Sequence, residues 1–298
     1  MLTLSSMELL RQLRIRGTLT GAAEALSLSK SAASHRLALL EREAGVPITE
    51  RIGRKLRLTA VGAELAECAE RVMHELEVAD SIVQSSKQNP AGRVVIGLFH
   101  AAAIRIMPRV LRRLEAEYPE IFLESTHVPT DTALAAVKSG DLDLAIIGSY
   151  HYKPVAFDAQ LHVERLYNEP LYLGLPPGHR LAAVERAVDV SELVDERWVA
   201  GETFDQIIPE LCAREGFVPH VAHRSVDYVV ITLLVSSGSG ISIVPDLTEL
   251  VSGERIVLKK FASPGIGREV VIAVRHSSRR RSTVAAVLRL IRQSFTAP

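Results

Sequence analysis

Apolar side chains recur every three or four residues between positions 29 and 45, which predicts a helix with one buried face. Ser29 is a suitable N-cap for this helix, and Gly45 suits its C-terminal end. An alanine-rich stretch capped by Thr20 predicts a shorter helix before it, and Ser27-Leu28 leaves room only for a tight turn. The predicted buried stripe of the longer helix consists of Ala33, Leu37, Leu40 and Ala44.

The opposite face of the longer helix is small and polar. Its first two turns carry hydrogen-bonding groups on Lys30, Ser31, Ser34 and His35. A helix that enters the major groove of DNA needs a close approach and donors near its N-terminus. The pattern therefore indicates a helix-turn-helix motif, although an ordinary solvated helical hairpin has the same spacing.

The segment after this helix predicts a small β-hairpin. Two short apolar runs, within residues 46–52 and 56–59, surround the basic tip Gly53-Arg54-Lys55. A basic hairpin beside a recognition helix can follow the phosphates or enter the minor groove. The first 58 residues are thus predicted to form a winged helix-turn-helix domain.

In this region the chain resembles the LysR-type transcriptional regulators. The matching positions are Gly17-Thr18-Leu19-Thr20, Ala22-Ala23, Leu26, Ser29, Ala32, Ser34, Leu37, Leu40-Glu41, Gly45, Arg51 and Leu58-Thr59. The resemblance implies a DNA-binding head that reads bases mainly through Lys30, Ser31, Ser34 and His35. The full predicted DNA-binding set is Thr20, Ser29, Lys30, Ser31, Ser34, His35, Arg36, Arg51, Arg54 and Lys55.

Residues 59–92 are predicted to form a long helix followed by a polar hinge. Thr59 is the predicted cap of this helix, which carries an apolar seam with heptad-like spacing, made of Val61, Leu65, Cys68, Val72, Leu76, Ala79 and Val83. A core helix of one globular domain would show a similar stripe. The family resemblance instead implies a linker helix that joins two subunits.

From residue 93 strands and helices alternate, which predicts a parallel α/β sheet. Strands are expected near 94–99, 121–128, 142–147 and 270–274, and helices over 101–118, 130–139 and 282–295. The resemblance extends here through Ser139-Gly140-Asp141-Leu142-Asp143 and through Ser236–Pro245. It implies a two-lobed effector domain like the periplasmic solute-binding proteins, with lobe one at 93–163 plus 267–298 and lobe two at 164–266.

Ligands of such sheets bind beyond the carboxyl ends of the strands. The predicted effector-binding residues are Phe99, His100, Ala101, Ala102, Thr130, Asp131, Gly148, Thr203, Phe204 and Asp227. Relatives that bind small carboxylates often have serine where this chain has Ala101, whereas Thr130 matches a frequent effector contact. Because Asp131 and Asp227 would repel an anion, we expect a neutral, zwitterionic or cationic ligand.

Charge is unevenly distributed along the chain. Residues 1–60 carry ten lysines and arginines against five acidic residues, whereas the remainder carries 25 against 30. A basic head on an acidic body suits a DNA-binding protein with a separate sensing domain. The sequence has no apolar run long enough to span a bilayer and no signal peptide pattern, so we expect a cytoplasmic protein.

Other functional classes find little support. The common hydrolase, zinc-protease and phosphate-loop patterns do not occur, so we predict no enzyme, no cofactor and no metal site. Two alternatives remain open: a solute-binding sensor without a DNA role, and a thiol redox-responsive regulator of the same family. The second would need two nearby cysteines in lobe two, where only Cys212 lies. By resemblance the partners are an interrupted palindromic operator in double-stranded DNA, a small-molecule effector, and copies of the chain in a homotetramer.

Overall fold

A computed structural model describes residues 2–52, 55–85, 90–201, 204–246, 255–263 and 265–296. Within these residues the chain forms an N-terminal winged helix-turn-helix head, one long helix and a two-lobed α/β domain. This confirms the predicted fold class. No helix in the described residues has both the length and the apolar character needed to cross a bilayer.

The described part of the head contains three helices and a hairpin. Their bounds are α1 Leu4–Arg16, α2 Leu19–Ala25, α3 Lys30–Ala44, β1 Thr49–Ile52 and β2 Lys55–Leu58. Ser29 caps α3 by accepting a hydrogen bond from the Ala32 amide, and Gly45 ends it in the left-handed conformation, both as predicted. The buried faces of the helices pack into one core centred on Leu9, Leu10, Leu37, Leu40 and Ile48.

Helix α2 begins earlier than predicted. Thr18, not Thr20, is its N-cap, and the Thr18 Oγ1 atom accepts from the Gly21 amide at 3.1 Å. The reason is that Gly17 ends α1 in the left-handed conformation, so the chain is already extended at Thr18. Thr20 therefore lies in the first turn of α2, where it is exposed.

Helix α4, Ala60–Ser85, leads out of the head. Thr59 caps it by accepting from the Gly62 amide at 3.0 Å, as predicted. Gly62 allows the hairpin to approach, because a Cβ atom there would lie 2.0 Å from the Ile48 carbonyl oxygen. One face of α4 is buried through Ala66 and Ala69, and residues of its other face are exposed.

Lobe one contains a mixed sheet with helices on both faces. Its elements are β3 Gly92–Leu98, α5 His100–Arg105, α6 Met107–Glu117, β4 Ile121–His127, α7 Thr130–Ser139, β5 Leu144–Tyr150, the first part of β6 Leu161–Leu175, β11 Gly267–Arg275 and α10 Ser282–Thr296. Strands β4, β3 and β5 are parallel, as predicted, and β11 is antiparallel to β5 and β6. The predicted helix 101–118 is two helices, because the chain breaks at Ile106 and Pro108 opens the second one.

Lobe two surrounds the second part of β6. Its elements are β7 Arg197–Gly201, α8 Phe204–Arg214, β8 His220–Ser225, α9 Tyr228–Ser236, β9 Ser242–Pro245 and β10 Val257–Lys260. Strand β6 pairs with β11 as far as Pro170 and with β9 and β10 from Leu171 onward. Residues 164–170 thus pair within lobe one, whereas the prediction assigned them to lobe two. The strand pattern of the sequence does not reveal that one continuous strand crosses both lobes.

Candidate nucleic-acid interface and effector cleft

A groove lies beside the exposed side of α3. Its other walls are the wing, which is the β1–β2 hairpin, and the start of α2. Lys30, Ser31, Ser34 and His35 are all exposed, as their helical spacing predicted. The groove, of about 870 Å³, is lined by Thr20, Lys30, Ser34 and Arg51 together with Arg16, Thr18 and the start of β1 at Thr49. Four of the predicted DNA-binding residues therefore share one surface.

The remaining predicted DNA-binding residues lie in different environments. Ser29 serves as the cap of α3, and Arg36 is half-buried beside the exposed face. Lys55 begins β2, opposite Ile52 in the hairpin register. Arg54, at the predicted tip of the wing, lies outside the described residues.

Glu41, one of the residues that carry the family resemblance, fixes the wing against the recognition helix. Its Oε1 atom accepts hydrogen bonds from the Ile48 amide at 3.1 Å, the Thr49 amide at 2.9 Å and the Thr49 hydroxyl at 2.9 Å. Three donors on one carboxylate oxygen set the angle between α3 and β1. Its motif position alone did not reveal this positioning role.

The second site lies where the two lobes meet, at the carboxyl ends of β3 and β5. Phe99 and His100 follow β3, Thr130 begins α7, and Gly148 lies near the end of β5. The His100 ring stacks on the Tyr228 ring of α9, with the ring centroids 5.4 Å apart. This contact joins lobe one to lobe two across the predicted cleft.

Some predicted effector residues have other roles in this structure. The side chains of Ala101 and Ala102 are buried in the core of lobe one, so only their backbone is available to a ligand. Asp227 caps α9, accepting from the Val229 amide at 2.8 Å, while Asp131 is exposed in the first turn of α7. Thr203 lies outside the described residues, and Phe204 begins α8.

A buried ion pair beneath the cleft was not predicted. The Arg268 Nε atom donates to Glu169 Oε2 at 2.5 Å, and Arg268 Nη1 donates to the Tyr150 hydroxyl at 3.0 Å. The guanidinium also lies over the Phe99 ring, 4.2 Å from its centroid. Gly148 leaves the space for this side chain, because a Cβ atom there would lie 2.9 Å from Arg268 Cδ.

Electrostatics at this pair favour the charged arginine. Burial opposes the charge, but the neighbouring Tyr150 and Glu169 outweigh it and raise the pKa of Arg268. For Tyr228, in contrast, burial raises the pKa, and the positive charge of Arg268 opposes that rise. The sequence gives only a weak signal for this network, because β6 and β11 carry several other charged residues and only the burial of Glu169 and Arg268 sets these two apart.

The described residues contain no group of three or more potential metal-ligating side chains. A winged head joined through a long helix to a two-lobed sensing domain defines a helix-turn-helix regulator with a ligand-binding module.

Comparison with known proteins identifies the family. Residues 4–63 match the bacterial regulatory helix-turn-helix protein of the lysR family, and residues 87–296 match the LysR substrate binding domain. The chain belongs to the LysR family of transcriptional regulators. This confirms the resemblance found in the sequence.

Two relatives and one solved structure illustrate the similarity. The chain is 29% identical over 278 residues to a probable hydrogen peroxide-inducible genes activator of Mycobacterium avium, covering 91% of this chain and 88% of that protein. It is 28% identical over 234 residues to the HTH-type transcriptional regulator YybE of Bacillus subtilis, covering 78% of each. A full-length variant of OxyR from Pseudomonas aeruginosa has the same fold, with a TM-score of 0.70, 24% identity, and coverage of 98% of this chain and 95% of that chain.

Proposed function

We propose that this regulator binds operator DNA through α3 and the wing, and that a small molecule held between its lobes controls the binding. The observation that carries the DNA assignment is the groove that Lys30, Ser34 and Arg51 share on one exposed face. Following the family resemblance, we further propose a cytoplasmic homotetramer on an interrupted palindrome, with pairs of subunits joined through α4.

The first test concerns base reading by Lys30. Footprinting on the DNA that flanks its own gene locates the operator, and fluorescence anisotropy then measures binding to operator and to random duplex. Lys30→Ala should weaken operator binding by about 1–3 kcal/mol and relax one base position, because a lysine can donate to guanine O6 and N7. Lys260→Ala removes the same charge from lobe two and serves as control. An unchanged ratio of operator to random affinity in Lys30→Ala refutes this assignment.

For the effector we propose a ligand that reaches Thr130 and the Arg268 guanidinium. Within the described part of the chain, the Arg268 Nη2 atom is buried without a hydrogen-bond partner, and so is the nearby Tyr152 hydroxyl. Each unmet donor costs about 1–3 kcal/mol, which a ligand oxygen would recover. The expectation of a non-anionic ligand rested on the charges of Asp131 and Asp227. Glu169 balances the charge of Arg268, but the unpaired Nη2 donor still favours an acceptor group on the ligand. We therefore propose a ligand with at least one carboxylate or similar acceptor group.

A thermal-shift screen of metabolites on the full chain tests this proposal. Thr130→Val should lower the affinity for a stabilising ligand by about two- to tenfold, the equivalent of one hydrogen bond. The substitution removes the hydroxyl but keeps the shape of the side chain. Thr20→Val makes the same change in the head and should leave the ligand effect intact. A ligand indifferent to Thr130→Val and to changes around Ala101 would place the site elsewhere. A purely cationic best ligand would overturn the carboxylate proposal and leave the cleft in place.

Thiol sensing is the second candidate, because relatives are named as hydrogen peroxide-inducible genes activators. A sensing cysteine needs an accessible thiolate. Cys212 is buried in lobe two, and burial raises its pKa to about 12, so this thiol stays protonated at neutral pH. Cys68 is exposed but lies on α4, outside the sensing domain. These environments favour ligand control over thiol control.

A further inference from the structure

Arg16, the last residue of α1, connects the DNA-facing groove with lobe one. This residue lines the groove together with Lys30 and Arg51. Its Nη2 atom also donates to both carboxylate oxygens of Asp141, at 2.5 and 2.6 Å. The arginine side chain is 29% exposed, so it is only partly withdrawn from solvent.

Asp141 is well suited to hold a guanidinium in this position. It follows Gly140, which ends α7, and its Oδ2 atom also accepts from the Ser139 hydroxyl at 2.7 Å. Burial acts to raise its pKa, but the hydrogen bonds from Ser139 and Arg16 outweigh burial and the net pKa is lowered. The carboxylate is therefore ionised at neutral pH. A carboxylate and a DNA phosphate offer a guanidinium the same pair of acceptor oxygens.

We propose that Arg16 contacts a DNA phosphate in the bound state, and that Asp141 holds this guanidinium in the free protein. Lobe one then competes with DNA for a residue of the head. This inference rests on the proposed DNA-binding function. A partly exposed ion pair is worth only about 0–1 kcal/mol, so a phosphate can displace the carboxylate without disrupting the fold.

The position of Asp141 gives the competition a physical link to the cleft. Helix α7 begins at Thr130, beside the proposed effector site, and ends at Ser139, next to Asp141. Ten helical residues span about 15 Å as one rigid element. A ligand that shifts the Thr130 end of α7 therefore moves Asp141 relative to Arg16. Helix α7 is thus the element through which we propose that the effector site is coupled to the Arg16 contact.

Anisotropy titrations of the full-length protein with a random-sequence duplex test the inference, because a phosphate contact is independent of sequence. Asp141→Asn should raise the affinity about two- to fivefold, the equivalent of one partly exposed ion pair. It should also steepen the dependence of log K on log salt by up to about one unit, since Arg16 no longer exchanges a carboxylate for a phosphate. Glu124→Gln removes a similarly exposed carboxylate, paired with Arg93 within lobe one, and should change neither quantity.

The double variant Arg16→Gln/Asp141→Asn distinguishes two effects of Asp141: competition with DNA for the Arg16 guanidinium, and general repulsion of DNA by the negative charge of Asp141. If Asp141 acts by occupying Arg16, its replacement has no effect once Arg16 is glutamine. A gain that persists in this background, or one that Glu124→Gln reproduces, overturns the inference. If the wild-type protein binds no duplex at all, the proposed DNA-binding function itself fails. Wild-type binding with unchanged affinity in Asp141→Asn rejects only the role of the ion pair.

Discussion

Glu169→Gln should destabilise the two-lobed domain by about 3–5 kcal/mol, because it leaves the buried Arg268 charge without its counterion. The Glu169 side chain is fully buried and that of Arg268 is 5% exposed, so water cannot replace the lost carboxylate. We expect a clear fall in the unfolding temperature of the full chain. The measurement is thermal unfolding followed by circular dichroism.

Glu124→Gln is the matched control for this change. It breaks a pair of similar length in the same lobe, but both partners are exposed, and such pairs contribute about 0–1 kcal/mol. The double replacement Glu169→Leu/Arg268→Met should recover much of the loss, since apolar residues of similar volume often match a buried ion pair. Equal unfolding temperatures for Glu169→Gln and Glu124→Gln would contradict the assigned burial of this pair.

Local signals were sufficient to predict the recognition helix. Its start at Ser29, its end before Gly45 and its buried stripe each depend on residues within one element, and the structure agrees with them. The start of α2 was wrong by two residues, because Thr18 and Thr20 are both acceptable caps and the preceding left-handed Gly17 decides between them. The helix break at Ile106 was missed although Pro108 marked it.

The ion pair of the cleft was beyond prediction for a different reason. Phe99, Tyr150, Glu169 and Arg268 come from four separate strands or strand ends. Their meeting depends on the register of β6 and β11, which shifts between Val270 and Val271. Local periodicity carries no information on such a register. The contact between Arg16 and Asp141 is equally remote in sequence, and it depends on how the head packs against lobe one.

The exposed side of α4 is an apolar surface on which two subunits are predicted to pair. Val61, Val72, Leu76 and Val83 are exposed on this helix although all are apolar. Leu65, which the heptad pattern had also placed on the seam, packs partly against the head core. The exposed stripe continues through Cys68 and Ala79, at spacings of three, four and seven residues. A second copy of the chain is the proposed cover of this stripe, in agreement with the seam of a coiled coil.

Val72→Asp should therefore abolish pairing of subunits through α4 and, with it, tight operator binding. An unpaired carboxylate buried in an apolar seam costs several kcal/mol, a large fraction of the free energy of a typical subunit contact. Operator binding falls as well, because two heads held together bind a palindrome with a much higher effective concentration than separate heads. Val218→Asp makes the same chemical change at a valine that is 90% exposed in lobe two, and it should leave assembly unchanged. Sedimentation velocity and operator titrations measure both effects. A Val72→Asp protein that sediments like the wild type and binds the operator equally well would exclude α4 as the dimer interface.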